Sequence, residues 1–278
     1  MPREEGRDVA AAPPVPLQER LYRTEAIVLS RIDYGEADRI LTVFTPMRGK
    51  IRVIAKGARR PLSKLGPHLE YFSRSRLMLA RGRDLDTVTG AETVDAHLGL
   101  RADLDAFGHA SHMAEVLNRL TQDRQENQAL YDLLASSLHL LADGLDAFAV
   151  TRHYELGLLT LLGYKPELYR CVSCRTELAA APNAFSSRLG GVLCPLCRAE
   201  DAGSRLLAVN TQKFLRTLDR HGLAPAARLP LDPGLRAELE GVLGDYLRGL
   251  IERDLSSLKV WRTLREAENA GDERNLHR

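Results

Sequence analysis

No apolar run in the 278 residues is long enough to cross a bilayer. The start, residues 1–20, is charged and rich in Ala and Pro and lacks the apolar stretch of a secretion signal. The expectation is a soluble, cytoplasmic protein with no membrane partner, whose thiols stay reduced and free for metal. Phosphate-cradling glycine loops are missing too. Gly49-Lys50 is followed by Ile51, so no G-x-x-x-x-G-K-[ST] occurs, and no G-x-G-x-x-G precedes a helix. That argues against an ATP-driven motor. No acid/base or nucleophile set stands out, so no enzyme is expected. His109 and His112 lie one helical turn apart without an obvious third metal ligand, and a helix surface explains them better. Asp84 and Asp86 alternate beside arginines and are more simply charge-balancing than a nuclease-type metal site.

Acid is absent from one stretch in particular. From Arg39 to Leu69 there is no Asp or Glu, while Arg39, Arg48, Lys50, Arg52, Lys56, Arg59, Arg60 and Lys64 all fall there. Net charge for the whole chain is only +2, yet residues 21–95 carry 14 Lys+Arg against 9 Asp+Glu. The positive field therefore belongs to this part, where an anionic polymer would go. Strand period places Lys50, Arg52 and Lys56 on one face and Ile51, Val53 and Ala55 on the other. One side packs a core and the other displays cations. A solvated basic face is the alternative; sign, face and loop together favour DNA or RNA. Aromatics are few: residues 24–92 hold only Tyr34, Phe44, Tyr71 and Phe72, and Phe44 sits in an apolar strand. The expectation is contact with the sugar-phosphate backbone rather than base stacking.

Cysteine is limited to four residues in two pairs, Cys171-Val-Ser-Cys174 and Cys194-Pro-Leu-Cys197. This is the spacing of a four-thiolate zinc site, and closed coordination by four sulfurs makes a structural ion. Two separate redox pairs are the other possibility; no thioredoxin-like βαβ pattern surrounds either one. Arg170, Arg175, Arg188 and Arg198 near the pairs are read as solvated.

Along the chain, Thr24–Ile32, Arg39–Thr45, Lys50–Lys56, Tyr71–Ala80 and Leu85–Glu92 read as strands, enough for a small closed barrel of OB-fold size. From Leu98 the period becomes helical. Leu104, Phe107, Ser111, Ala114, Leu117 and Leu120 share a face, as do Leu130, Leu133, Leu134, Leu138, Leu141 and Leu145. The segment Phe148–Leu162 is apolar nearly all round and should be central. Asn210 is a candidate cap for a helix to His221 with Gly222 as its stop. Asp232-Pro233 starts a long helix, and Leu258, Trp261 and Leu264 form a last turn or helix. The chain is thus read as multi-domain α+β, an N-terminal five-stranded OB-fold β-barrel followed by an all-α domain with an inserted four-cysteine zinc finger. The divisions are a disordered extension (1–20), the barrel (21–95), helices (96–167), the finger (168–205), further helices (206–265) and a polar tail (266–278).

The stretch Gly35-Glu36-Ala37-Asp38-Arg39-Ile40-Leu41-Thr42-Val43-Phe44-Thr45, with Gly49-Lys50-Ile51-Arg52 and Ala55-Lys56-Gly57-Ala58-Arg59-Arg60-Pro61, resembles the RecO family of bacterial recombination mediators. So does the order of barrel, helices with finger, and closing helices ending in Leu255-Ser256-Ser257-Leu258-Lys259. The resemblance spans about residues 21–265. It implies binding of single- and double-stranded DNA, annealing of complementary strands without ATP, and, with RecR, loading of RecA onto DNA coated by single-stranded DNA-binding protein, whose acidic C-terminal tail is contacted. It also implies a nucleoid-associated location. Its DNA-facing positions carry over to Arg39, Lys50, Arg52, Lys56, Arg59 and Arg60. The competing reading is a zinc-ribbon adaptor that assembles protein partners.

Overall fold

The computed structural model describes residues 21–252. The terminal extension and tail, the Leu255–Lys259 stretch and the helix expected at Leu258, Trp261 and Leu264 lie outside the described residues.

Five strands come first: β1 (Leu21–Tyr34), β2 (Asp38–Thr45), β3 (Gly49–Ala55), β4 (Arg74–Ala80) and β5 (Asp86–Asp95). They close into a barrel in the order β1-β2-β3-β5-β4. All neighbours are antiparallel except β3 and β5, which meet in parallel through Val53↔Asp86 and Ile54↔Thr87. Ala26, Val28, Leu41, Val43, Ile51, Val53, Ala55, Leu77 and Leu79 fill the interior. The unbroken apolar row of β1 has a simple cause, because the strand is buried on both sides. Ala26 and Val28 point into the barrel, while Ile27 and Leu29 join the core of the helical part, together with Phe44 and Phe72.

The helical part comprises α1 (Leu98–Ala102), α2 (Leu104–Leu120), α3 (Gln128–Ala142) and α4 (Ala147–Leu161), then α5 (Val209–His221), α6 (Leu223–Ala226) and α7, helical over 233–252. Side-chain caps fix most starts. Asp103, Asn127, Asp146 and Asp232 each accept a backbone N–H two or three residues on. Asn210 does not cap α5. The helix begins at Val209 with Ala208 in the cap position, two residues earlier, and Glu238 of α7 satisfies the end instead, accepting from the Ala208 amide at 2.6 Å and the Thr211 hydroxyl at 2.8 Å. Helix α4 is central, with both flanks buried. Two leucines assigned to buried faces are not there: Leu104 is 86% exposed and Leu145 42%. Each sits at an end of its apolar row.

Between α4 and α5 lies a three-stranded sheet of order β7-β6-β8, formed by β6 (Asn183–Ser186), β7 (Gly191–Leu193) and β8 (Arg205–Leu207). Its apolar residues Phe185, Val192, Leu193 and Leu207 belong to the same core as the helices. The inserted segment is therefore welded to the helical part through a dry face, in which Cys171 is itself buried, while Cys174 is exposed.

Candidate nucleic-acid interface and metal centre

The eight cations expected on the barrel separate into groups. Arg52 on β3 and Lys56, Arg60 and Lys64 after it are exposed and have no ion-pair partner among the described residues. The loop that carries them is tied down: the Gly57 amide donates to Asp38 Oδ1 at 2.7 Å and the Arg59 amide to the Ala37 carbonyl at 2.9 Å. Gly57 takes φ +66°, a conformation that favours glycine. The parallel register of β3 with β5 brings the loop 81–85, with exposed Arg81 and Arg83, to the level of Arg52.

Arg59 and Arg39 are held by carboxylates. Arg59 Nε is 3.3 Å from Asp33, and Arg39 reaches Asp33 at 3.4 Å and Glu70 at 3.1 Å, while Arg31 also grips Glu70. Burial pushes the Glu70 carboxyl up, but the two guanidinium groups more than reverse this and leave it below the usual glutamate value. Arg39 is only 17% exposed and is a structural member of this network, not an open DNA contact. Arg48 is half-buried, its guanidinium 4.2 Å above the Tyr22 ring.

Lys50 departs most from expectation. Its side chain alternates away from the barrel interior as the strand period requires, yet it is buried. The ammonium donates to the carbonyls of Asn118 at 2.7 Å and Thr121 at 2.8 Å and lies 3.3 Å from Asp123. The outside of the barrel at this rung, where Lys50 pairs with Phe44, is covered by α2 and the segment that follows it. An outward side chain is therefore not an open one, and Lys50 is removed from the set that a polyanion can reach.

The four cysteines do converge. Their sulfurs all lie within 4.8 Å of one another. Cys174 Sγ is 3.8 Å from Cys194 Sγ, and sulfurs about 2.3 Å from one tetrahedral Zn²⁺ stand about 3.8 Å apart. Two tight turns present them, closed by Arg175 N–H to Cys171 O at 3.0 Å and Cys197 N–H to Cys194 O at 3.1 Å. Burial raises the Cys171 thiol, but the amides of Cys194, Cys174 and Ser173 outweigh it and lower it overall. The Thr176 hydroxyl and amide draw Cys174 down to about 6. The Ser173 hydroxyl favours the Cys197 thiolate, yet burial and the neighbouring sulfurs override it and push that thiol up to about 12. Four thiols at this range ionise together only around a shared cation, so spacing and donor set both suit one thiophilic divalent ion.

His112, His109 and Asp86 have structural partners. His112 Nε2 is 2.7 Å from the buried Glu155, which Arg152 also holds at 3.1 Å. His109 bonds the Thr151 hydroxyl at 2.8 Å. Asp86 accepts from the Tyr22 hydroxyl and the Gly82 amide. The buried Arg152–Glu155 pair lies in a helix whose sequence looks apolar nearly all round; the i, i+3 spacing is its one trace in the sequence. Among the described residues, one further group of metal-type donors exists: Asp95, His97 and His139. No helix there is long and apolar enough to cross a membrane.

Comparison with known proteins covers nearly the whole chain. The family described as "Recombination protein O N terminal" matches residues 20–97, and "Recombination protein O C terminal" matches 101–259. A protein named "DNA repair protein RecO" from Roseiflexus sp. (strain RS-1) is 42% identical over 242 residues, 87% of this chain and 85% of its own length. Proteins of the same name from Pelotomaculum thermopropionicum and Dehalococcoides mccartyi (strain ATCC BAA-2266 / KCTC 15142 / 195) are 40% and 36% identical, each over 86% of this chain and over 92% and 94% of their own lengths.

Proposed function

The chain belongs to the RecO family of DNA repair proteins, and from there we propose that it is a non-enzymatic mediator that holds DNA by its backbone and anneals complementary strands without nucleotide hydrolysis. The observation that carries this reading is the set of exposed cations without carboxylate partners among the described residues, Arg52, Lys56, Arg60 and Lys64, on a braced barrel rim. We take the barrel to be an OB-fold: five strands, the order 1-2-3-5-4 and a single parallel closure agree with that architecture. Two nucleic-acid strands repel. A cationic surface holding one lowers the cost of bringing in the second, and pairing and stacking supply the free energy. Each phosphate neutralised also releases counterions, which favours binding at low salt.

The four cysteines hold one structural Zn²⁺, which fixes the inserted sheet against the helices. From the family resemblance come the partners: single- and double-stranded DNA, RecR, the C-terminal tail of single-stranded DNA-binding protein and, through them, RecA. Work on DNA implies a cytoplasmic location at the nucleoid.

The test is strand annealing without ATP, comparing wild type with a variant carrying Glu at positions 52, 56, 60 and 64. Annealing should be lost while the circular dichroism spectrum is kept. A folded variant that anneals at the wild-type rate in the same salt overturns the assignment of the surface. A wild-type chain that neither binds nor anneals oligonucleotides overturns the function and favours a protein adaptor.

A further inference from the structure

The second donor cluster lies where the barrel hands over to the helices, away from the cysteines. Asp95 ends β5, His97 precedes α1 and His139 stands on α3. Asp95 Oδ2 is 3.4 Å from His97 Nε2 and 3.4 Å from His139 Nδ1. Oxygen and nitrogen ligands about 2.0–2.1 Å from a tetrahedral Zn²⁺ lie about 3.4 Å apart. Two edges of such a coordination figure are therefore already built.

Hydrogen bonding around the rings points the same way. His97 is buried, and its Nδ1 is 2.8 Å from the Phe72 carbonyl. A carbonyl only accepts, so Nδ1 carries the hydrogen. In the neutral ring the Nε2 lone pair then faces a carboxylate oxygen, two acceptors with nothing to share. A cation between them resolves that conflict. His139 repeats the arrangement: Nδ1 faces Asp95, and Nε2 lies 3.4 Å from Asp143 Oδ2 one turn on. Metal-binding histidines generally offer their second nitrogen to a carbonyl or carboxylate in this way.

The backbone is held for the purpose. His97 takes φ +43°, rare for a residue with a side chain, and its amide donates to Asp95 Oδ1 at 2.8 Å. Gly99 on α1 packs so closely on α3 that a Cβ there would fall 2.0 Å from the Ala142 carbonyl oxygen. That contact keeps the His97 turn in register with His139.

We propose that Asp95, His97 and His139 form a second metal site for a Zn²⁺-class divalent ion in nitrogen–oxygen coordination. A fourth position is open to water, and the ion clamps the end of β5 to α3. The clamp joins barrel to helices and is independent of DNA binding.

The test uses the full chain, equilibrated with micromolar Zn²⁺, exchanged into metal-free buffer and assayed for metal by mass spectrometry. Wild type should hold two equivalents. His139→Ala, which alters an exposed side chain, should hold one and keep its circular dichroism spectrum; Asp95→Asn should match it. Co²⁺ added to chain whose cysteines are already filled with Zn²⁺ should give a visible ligand-field band without thiolate-to-cobalt charge transfer, absent in His139→Ala. One equivalent in both wild type and His139→Ala overturns the proposal. So does a second equivalent that His139→Ala takes up equally well. If Asp95→Asn does not fold, the His139→Ala comparison still decides, because a proton on His97 in place of metal would leave both proteins with one equivalent.

Discussion

Lys50 and Arg52 stand two positions apart on the same side of β3. At the Lys50 rung, α2 and the turn after it lie across the barrel, and the ammonium is taken up by two backbone carbonyls and Asp123. At the Arg52 rung the face is open and the guanidinium has no acidic partner among the described residues. The same contrast runs through the loop, where Arg59 is paired with Asp33 while Lys56, Arg60 and Lys64 are not. Positive charge that closes the fold and positive charge that waits for a ligand thus lie side by side in one short stretch. Coverage by the rest of the chain, at Lys50, or a carboxylate partner, at Arg59, tells them apart.

Substitutions at the start and at the middle of β3 should separate these roles. The largest effect is expected at the covered end. Gly49 has φ +55°, and a Cβ there would fall 1.9 Å from the Gln125 carbonyl oxygen. Gly49→Ala should therefore force the barrel and helices apart and cost about 3 kcal/mol or more in urea unfolding. Next comes Lys50→Met, which removes a charged donor from two carbonyls and should cost about 2 kcal/mol. The folded fraction should bind oligonucleotides with an unchanged salt dependence. Arg52→Glu should do the reverse, with stability within about 0.5 kcal/mol of wild type and affinity for oligo-dT at low salt roughly tenfold weaker, about 1.4 kcal/mol. A Lys50→Met protein that is stable but blind to DNA would dissolve the distinction.

The smallest effect concerns the network that braces the open edge. Glu70 is below its ordinary pKa in the folded chain, so its contribution is present above the unfolded glutamate value and is lost as pH falls through the folded one. Wild-type stability should decline across that acidic window. In Glu70→Gln the decline should be shallower, with a difference of about 1 kcal/mol or less for a network that solvent still partly screens. Urea midpoints collected from neutral pH downward measure it.

Much of the architecture could be read from pattern. Alternation along β2 and β3, the apolar row Ala26–Leu29 and the spacing of Cys171, Cys174, Cys194 and Cys197 each express a local geometric need. Asp232-Pro233 started its helix as read, because capping is local as well. What escaped was settled by distant partners. Glu238 replaced Asn210 at the end of α5, and the turn after α2 buried Lys50. Glu70 and Asp33 occupied Arg39. Asp95 and His97 are two residues apart, but His139 joins them only when α3 packs against the end of β5, so no spacing motif marks the three.

The most direct measurement is the affinity of the full chain for oligo-dT across a range of salt concentrations, beside the variant with Glu at positions 52, 56, 60 and 64. If the open cations grip phosphates, the logarithm of the wild-type association constant falls linearly with that of salt, by about 0.7 per phosphate contact on a single strand, and the variant loses most of that slope. A wild-type affinity indifferent to salt, or a slope that survives all four reversals in a folded protein, would contradict the account.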